Sequence, residues 1–276
     1  MTDKKRDVNP TWEEKSAEWK KTAYETVSKD DAPNQVLIEL AGIRAGDTVL
    51  DLASGTGEPS ISIALHVGGE GRVTATDVTP NMLNTARQRA ERLGLGNMSF
   101  EVCKMEALPF KDRSFDAVTC RFGVMHASDP LAALKEARRV LKPGKKAVFM
   151  VHGPRESNTL WTTVHVVAPE LLHIDDSKRV EHHFRFSEGD ELDELFRTAG
   201  FDAIEEQQLC RTVVKSDSEP FWNQLLTRDY GKFIEALGET QQAELHDGMA
   251  EAFRKYLEAG AYKLLTAQRF IVGAAM

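Results

Sequence analysis

The residues best suited to chemistry gather in one short turn, Asp51-Leu52-Ala53-Ser54-Gly55-Thr56-Gly57-Glu58-Pro59, which follows an apolar run and precedes Ser60. Gly55 and Gly57 open backbone conformations closed to other residues and let a ligand approach the main chain. Pro59 pre-sets the first turn of a helix, and the free amides at such a start favour an anionic group. Asp77 follows Gly57 by twenty positions and ends a second β-rich run. A carboxylate there can take both hydroxyls of a ribose. Residue types and spacing of this kind describe a nucleotide site.

Two positions decide which nucleotide. A dinucleotide fingerprint needs a third glycine three positions after the second, for close helix packing, and Ser60 stands there instead. That fingerprint has no need of an acid at the tip of the first strand, where Asp51 is read as aimed into the cleft. An acid at that point suits a ligand that carries an ammonium group, with a carboxylate for the helix amides and a ribose for Asp77. S-adenosylmethionine carries all three. A nicotinamide-dependent oxidoreductase is disfavoured on the same two positions.

The elements that must hold these residues alternate from Thr48 to Leu209. Short β-rich runs at Thr48–Leu52, Arg72–Asp77, Met98–Val102, Phe115–Cys120, Ala147–Val151 and Ala203–Leu209 are separated by helical patterns. The helix after Thr79-Pro80 shows Leu83, Ala86, Ala90 and Leu93 at spacings of three and four. Glu188–Ala199 reads as a helix closed by Gly200, and Arg269–Ala274 as a seventh strand. Alternation at this pitch predicts an α/β fold: a doubly wound, mostly parallel, seven-stranded Rossmann-like sheet with an antiparallel last strand. The chain divides into a helical N-terminal cap over 1–45, a cofactor-binding core over 46–152, a polar, histidine-rich, lid-like segment over 153–187, and a C-terminal part over 188–276 with helices inserted at 219–259.

At this point the motifs are together. The chain resembles the class I S-adenosylmethionine-dependent methyltransferases, in the group similar to ubiquinone/menaquinone-biosynthesis methyltransferases (methyltransferase domain 11). The resemblance rests on VLDLASGTG (49–57), TATDVTPNML (74–83), EALPFKDRSFDAVTCRFGVMHASDP (106–130), RRVLKPGKKAVF (138–149) and HFRFSEGDELDELFRTAGF (183–201). It implies that Asp51 lies near the methionine end of the cofactor. It places Ala53, Ser54, Gly55, Thr56 and Gly57 under the methionyl and ribose groups, with Ala53 where the family often has glycine, and Pro59 also at the cofactor. Asp77 matches the ribose-binding acid, and Val78 and Met82 flank the adenine. Arg121 and Phe122 follow the fourth strand, where the family meets the methionine end. Tyr24 belongs with the aromatics of the N-terminal cap that roof the site. One departure stands out. In the family's third-strand motif, the Gly-Asp before the apolar-proline-phenylalanine triplet is Cys103-Lys104 here. Lysine cannot accept a hydrogen bond from the adenine amine. Lys104 is therefore expected to point outward, leaving the Met105 amide and Glu106 to bind the base.

Methyl transfer from a sulfonium takes its electrophile from the cofactor, and no metal is implied. An acceptor hydroxyl, phenol or enol carbon gains from a base. Among eight histidines, His126 and His152 are the candidates, because each follows a strand tip at the cleft. His173, His182 and His183 fall in the lid-like segment, and His66, His165 and His246 receive no role. Cys103 and Cys120 read as buried small residues. The aromatics Trp12, Trp19, Trp161, Phe184, Phe186, Phe221 and Trp222 read mainly as the roof's own core, with an apolar or aromatic acceptor fitting beneath.

Composition narrows the rest. A formal net charge of -8 speaks against a broad nucleic-acid surface. Three well-separated cysteines offer neither a disulfide framework nor zinc spacing. No run is long and apolar enough to span a bilayer, and MTDKKRDVNPTWEEK lacks the apolar stretch of a signal peptide. A cytoplasmic enzyme that methylates a small organic acceptor on O, C or N is the expectation. The alternatives are a quinone-type C-methyltransferase, although the quinone signatures near the N-terminus and after the fifth strand are not found, and a non-catalytic S-adenosylmethionine-binding protein.

Overall fold

The computed structural model describes residues 6–7, 12–23 and 31–276. Its main sheet is built from β1 (Thr48–Leu52), β2 (Arg72–Asp77), β3 (Met98–Val102), β4 (Phe115–Arg121), β5 (Leu141–His152), β6 (Asp202–Ser216) and β7 (Ala261–Ala274), in the spatial order 3-2-1-4-5-7-6. Strands β1 to β5 run parallel, and β7 lies antiparallel between β5 and β6. The order reverses between β1 and β4, so a crevice opens beyond the carboxyl ends of these strands. Asp51 stands opposite Ala75 of β2 and Thr119 of β4.

Alternate residues of each central strand enter two separate cores, as a sheet covered on both faces requires. Leu50, Leu52, Val118 and Phe149 join α5 (Pro130–Val140) and α8 (Glu191–Thr198) on one face. Val49, Val73, Ala117, Val148 and Met150 join α2 (Ala32–Leu40) and α3 (Ser60–Val67) on the other. Helix α2 starts properly: the Asp31 carboxylate accepts from the Asn34 amide, with proline in the first turn. Helix α4 (Pro80–Arg92) follows β2.

A third core forms the roof. Helices α6 (Thr159–Leu171), α9 (Asn223–Ile234) and α10 (Glu239–Phe253) bury Trp161, Val164, Trp222, Leu226, Tyr230, Met249 and Phe253 against Tyr262 and Leu264 of β7. The short α7 (Ser177–His183) and the N-terminal α1 (Trp12–Ala23) complete it.

Three expectations change. The segment 153–187 is mostly helical rather than an irregular lid, and β-branched residues in α6 had hidden its period. Strand β5 begins at Leu141 rather than Ala147, because Lys142 pairs with Asp116 of β4 at 2.8 Å and the Gly144 amide donates to Ala275 at 2.5 Å. Strands β6 and β7 continue beyond the sheet as a long ladder from Leu209↔Gln268 to Ser216↔Ala261. Each strand supplies the other's backbone partners there, which no local pattern announces.

The hinge of that ladder is Arg269, 2% exposed. Its guanidinium meets Asp193 of α8 at 2.6 Å and Glu206 of β6 at 2.7 Å, and donates to the Phe186 carbonyl at 3.0 Å. Removing one member of a buried charged set leaves the others unpaired. Arg269→Met is expected to lower unfolding stability by about 3 kcal/mol, read from urea denaturation at constant m-value.

Candidate active site

The glycine turn is shaped by bonds from below. Gly55 and Gly57 adopt φ of 53° and 113°, and Ala53 enters the same left-handed region at 52°. A Cβ on Gly57 would lie 2.9 Å from Ile61 Cδ1 and 3.2 Å from Ala86 Cβ, so this glycine brings α3 and α4 together. A Cβ on Gly123 would lie 2.5 Å from Ala53 Cβ. The bare Gly123 backbone makes room for the alanine that replaces the expected glycine.

Asp77 holds the turn. One carboxylate oxygen accepts from the Gly55 amide and the other from the Thr79 amide, each at 2.9 Å. Thr79 therefore does not cap α4 with its own side chain. Burial raises the Asp77 carboxyl above its ordinary range, against the pull of those amides. Val78 beside it is 49% exposed, whereas Met82 is buried at 3%. The Ser54 hydroxyl is buried and lacks a hydrogen-bond partner among the described residues.

Asp51 corrects the sequence reading. Its side chain does not open into the cleft: the residue is 0% exposed. One oxygen accepts from Thr119 at 2.7 Å, the other from Ser60, and its carbonyl accepts from Thr76 at 3.0 Å. Burial pushes its carboxyl up to about 7, opposed by the Ser60 and Thr119 hydroxyls. Asp51 thus joins β1, β2, β4 and the start of α3.

A second polar belt rims the crevice. Arg121 donates to Asn34 at 2.5 Å and lies 3.4 Å from Asp31. Asn34 donates to Glu58 and to Ser62, each at 3.0 Å. Arg89 of α4, 1% exposed, donates to the Thr56 carbonyl at 2.6 Å and to Glu58 at 3.1 Å. Pro59 is the residue before α3 rather than its first. Lys104 is exposed, as expected, and Met105 packs against the core. Glu106 does not face a base through its bonded oxygen. That oxygen accepts from the Ser128 amide and hydroxyl, at 3.0 and 2.9 Å, at the entry to α5. Tyr24 lies outside the described residues.

Above the tips of β4 and β5 the roof is lined with rings. Phe122 stacks on His152 with centroids 4.2 Å apart. His183, which ends α7, lies 4.6 Å from His152 and 4.0 Å from Trp161. His126 meets Trp12 edge-on at 4.9 Å and His183 at 6.1 Å. Burial lowers His126 to about 4, aided by the charge of Lys15. Burial lowers His152 to about 3, aided by His126, and holds His183 well below the usual range. All three imidazoles are neutral at pH 7. His173 and His182 are exposed. Burial pushes the thiols of Cys103 and Cys120 up to about 11 and about 12, so neither is an activated nucleophile. Cys103 is half-buried rather than buried.

His165, given no role by sequence, is the centre of a buried network. It lies 3.0 Å from Asp176 and 3.1 Å from Asp229, stacks on Trp161 at 3.7 Å, and meets the Tyr230 hydroxyl at 2.6 Å. Arg179 pairs with Asp176 at 2.8 Å, and Arg228 with Asp229 at 3.1 Å. This network ties α6 to α9. A polar residue inside an apolar helix face was its one signal in the sequence. The missed Thr119 had a similar one, a hydroxyl within an otherwise apolar buried strand.

Among the described residues, no helix is long and apolar enough to cross a membrane, and no group of three or more His, Cys, Asp or Glu is placed to hold a metal ion.

Residues 28–218 match the profile of the ubiE/COQ5 methyltransferase family, more than two thirds of the chain. The chain belongs to that family. A ubiquinone/menaquinone biosynthesis C-methyltransferase UbiE from Enterobacter sp. (strain 638) is 40% identical over 114 residues, 41% of this chain and 45% of the relative. The aligned part spans about half the length of the curated relatives it matches. Among solved structures, the YcgJ protein from Bacillus subtilis superposes with a TM-score of 0.57 at 22% identity, over 88% of this chain and 97% of that one. The [4+2]-cyclase SpnF gives 0.57 at 16% identity, over 98% of both chains. These likenesses show a shared fold. The family assignment agrees with the resemblance carried by the motifs, and the sheet agrees with the doubly wound architecture expected from the strand pattern.

Asp51 generates a stability prediction. Its folded value lies above the unfolded value of about 3.9, so the native state binds the extra proton between the two. Stability is therefore lost as pH rises from about 4 to about 7. Asp51→Asn abolishes that loss, and the Ser60 or Thr119 hydroxyl can turn to accept from the amide. The variant's advantage in urea unfolding should grow over this window to a few kcal/mol, on the order of 1.4 kcal/mol per pH unit.

Proposed function

We propose that this chain is an S-adenosylmethionine-dependent methyltransferase acting on a small organic acceptor. The observation that carries the reading is the pairing of two surfaces across one crevice. Below lies a glycine turn drawn down onto Asp77, with the Ser54 hydroxyl unpartnered beside it. Above lies a roof of neutral rings at the tips of β4 and β5. Membership of the ubiE/COQ5 family supports the same reading. The fold alone would not, since a cyclase shares it.

The residues present suit this cofactor in kind. Asp77 would take the ribose hydroxyls. Ala53, Ser54, Gly55, Thr56 and Gly57 would pass under the methionyl and ribose groups, with Val78 against the adenine. Arg121 and Phe122 would border the methionine end. Asp51 would act through the turn it anchors rather than as a direct grip on the ammonium. The cofactor, when bound, supplies a methyl group on a positively charged sulfur.

The chain's own part is to hold the acceptor atom about 3–3.5 Å from that methyl group, in line with the breaking bond, and to keep water out. An acceptor hydroxyl would lie beside His126 and His152. As neutral imidazoles they can accept its hydrogen bond, but their low basicity makes them weak proton acceptors. A quinone-type acceptor methylated on carbon is the narrower reading. The aromatic group formed by Phe122, His152 and Trp161 favours it, as does the description of the matched relatives.

Asp77→Ala should weaken S-adenosylmethionine binding at least tenfold by calorimetry, since each hydrogen bond to a charged group contributes about 1.5–3 kcal/mol. Unchanged affinity would move the ribose elsewhere. Once an acceptor is turned over, kcat/KM should show no inflection near pH 6.5, because the cleft histidines have already lost their protons well below it. An inflection there that persists in Asp51→Asn, which removes the carboxyl that titrates at about 7, would contradict their burial.

A further inference from the structure

Strand β6 is an outer edge of the main sheet, and among the described residues it pairs with β7 alone. Which of its backbone groups are left over follows from β7. The Leu265 amide donates to the Thr159 hydroxyl at 2.8 Å and the Ala267 amide to the Asn158 side-chain carbonyl at 3.2 Å. The Gly153 amide donates to the Ala267 carbonyl at 2.9 Å. Those groups of Leu265 and Ala267 point away from β6. Successive residues of a strand turn their backbone groups to opposite sides, so Leu264, Thr266 and Gln268 face β6 and meet Val213, Arg211 and Leu209. The alternate positions of β6, Gln208, Cys210, Thr212 and Val214, therefore aim N–H and C=O at the open edge. No described backbone group bonds them there.

A long unprotected edge is normally blunted by proline, a bulge or brevity. This one spans 15 residues without proline, and its register on β7 is unbroken from Glu205 to Ser216. Val214, 63% exposed, and Leu265 of β7, 45% exposed, share one face of the ladder. On the other face two charges lack partners. Arg211 Nε is buried with no hydrogen bond, and Arg211 forms no ion pair among the described residues. Glu205 is exposed and equally unpaired among them, whereas its neighbour Glu206 is held by Arg269. Glu205 and Arg211 stand three positions either side of Gln208. At about 3.4 Å per residue they are roughly 20 Å apart, too far to meet within one chain.

We propose that the free edge of β6 is a self-association surface, on which a second copy of this chain adds its own β6 antiparallel about a two-fold axis at Gln208. Such an axis stands perpendicular to the sheet and preserves its faces, so residues equally spaced about Gln208 come opposite one another. Glu205 then faces Arg211 of the second copy, twice per dimer. Both residues spend their backbone groups on β7, so this is the closer, non-hydrogen-bonded kind of pair, which suits a cross-strand ion pair. Gln208 faces itself, and Glu206 and Cys210 exchange backbone bonds. Centring on Leu209 or Cys210 instead sets Arg211 opposite Gln207 or Leu209, and the charge stays unpaired. The two sheets become one continuous sheet with both crevices left open.

The test is sedimentation velocity on the full chain. The native protein should be largely dimeric at about 100 μM, as a small interface of micromolar affinity would be. Thr212→Pro removes an outward N–H and leaves the bonds to β7, so it should sediment as a monomer with unchanged circular dichroism. Arg211→Glu should weaken the dimer about tenfold by setting like charges opposite, and adding Glu205→Arg should restore it. The cysteine pattern reads the register. Gln208→Cys with Cys210→Ser should cross-link between copies under mild oxidation, with Cα atoms about 5.5 Å apart. Thr212→Cys with Cys210→Ser should not, its Cα atoms being roughly 27 Å apart. A native chain that stays monomeric, equal cross-linking at both positions, or a charge swap that fails to restore the dimer would each overturn the proposal. So would a dimer that survives Thr212→Pro. If that variant does not fold, the cysteine variants, which keep the strand intact, decide the matter.

Discussion

Everything around the crevice leans on a carboxyl group sealed from water. Asp51 sits in the middle of a parallel sheet, where an unaccompanied charge would be prohibitively costly. Its acceptors are met by hydroxyls from β4 and from the start of α3, and its carbonyl by a hydroxyl from β2. Three strand tips and a helix start are thereby fixed at one point, directly beneath the turn that must meet a ligand. The left-handed Ala53, the close approach of Gly123 and the bond from the Gly55 amide to Asp77 are possible because that point does not move. The same burial that immobilises the turn also raises the acid's pKa, so rigidity here costs stability as pH rises.

The roof solves a different problem. Its rings above the tips of β4 and β5 include imidazoles and indoles rather than leucines, and burial keeps the imidazoles uncharged. A neutral histidine packs like a small aromatic and still presents a nitrogen. The charged residues are withdrawn one layer deeper, into the set formed by His165, Asp176, Asp229, Arg179 and Arg228, which locks α6 to α9. Burial would raise the Asp229 carboxyl, but the Arg228 charge and the His165 bond hold it well below its ordinary range. Fixed charge behind and neutral rings in front thus divide the roof into two layers.

The sequence by itself determined the sheet of the core. The strands at Thr48–Leu52, Arg72–Asp77 and Met98–Val102 were legible to the residue, because short β-rich runs bounded by turn residues are set by local chemistry. The glycine turn, Asp77 and the family were legible for the same reason: they are contiguous, and their spacing is geometry written along the chain. The tertiary structure alone decided where side chains point. Asp51 reads as a group facing a ligand until Thr119, sixty-eight positions away, is brought beside it. Glu106 reads as a partner for a base until Ser128 takes it. His165 reads as nothing until Asp176 and Asp229 flank it. A motif records neighbours in sequence. Protonation, burial and partnership depend on neighbours in space, which only the folded chain supplies.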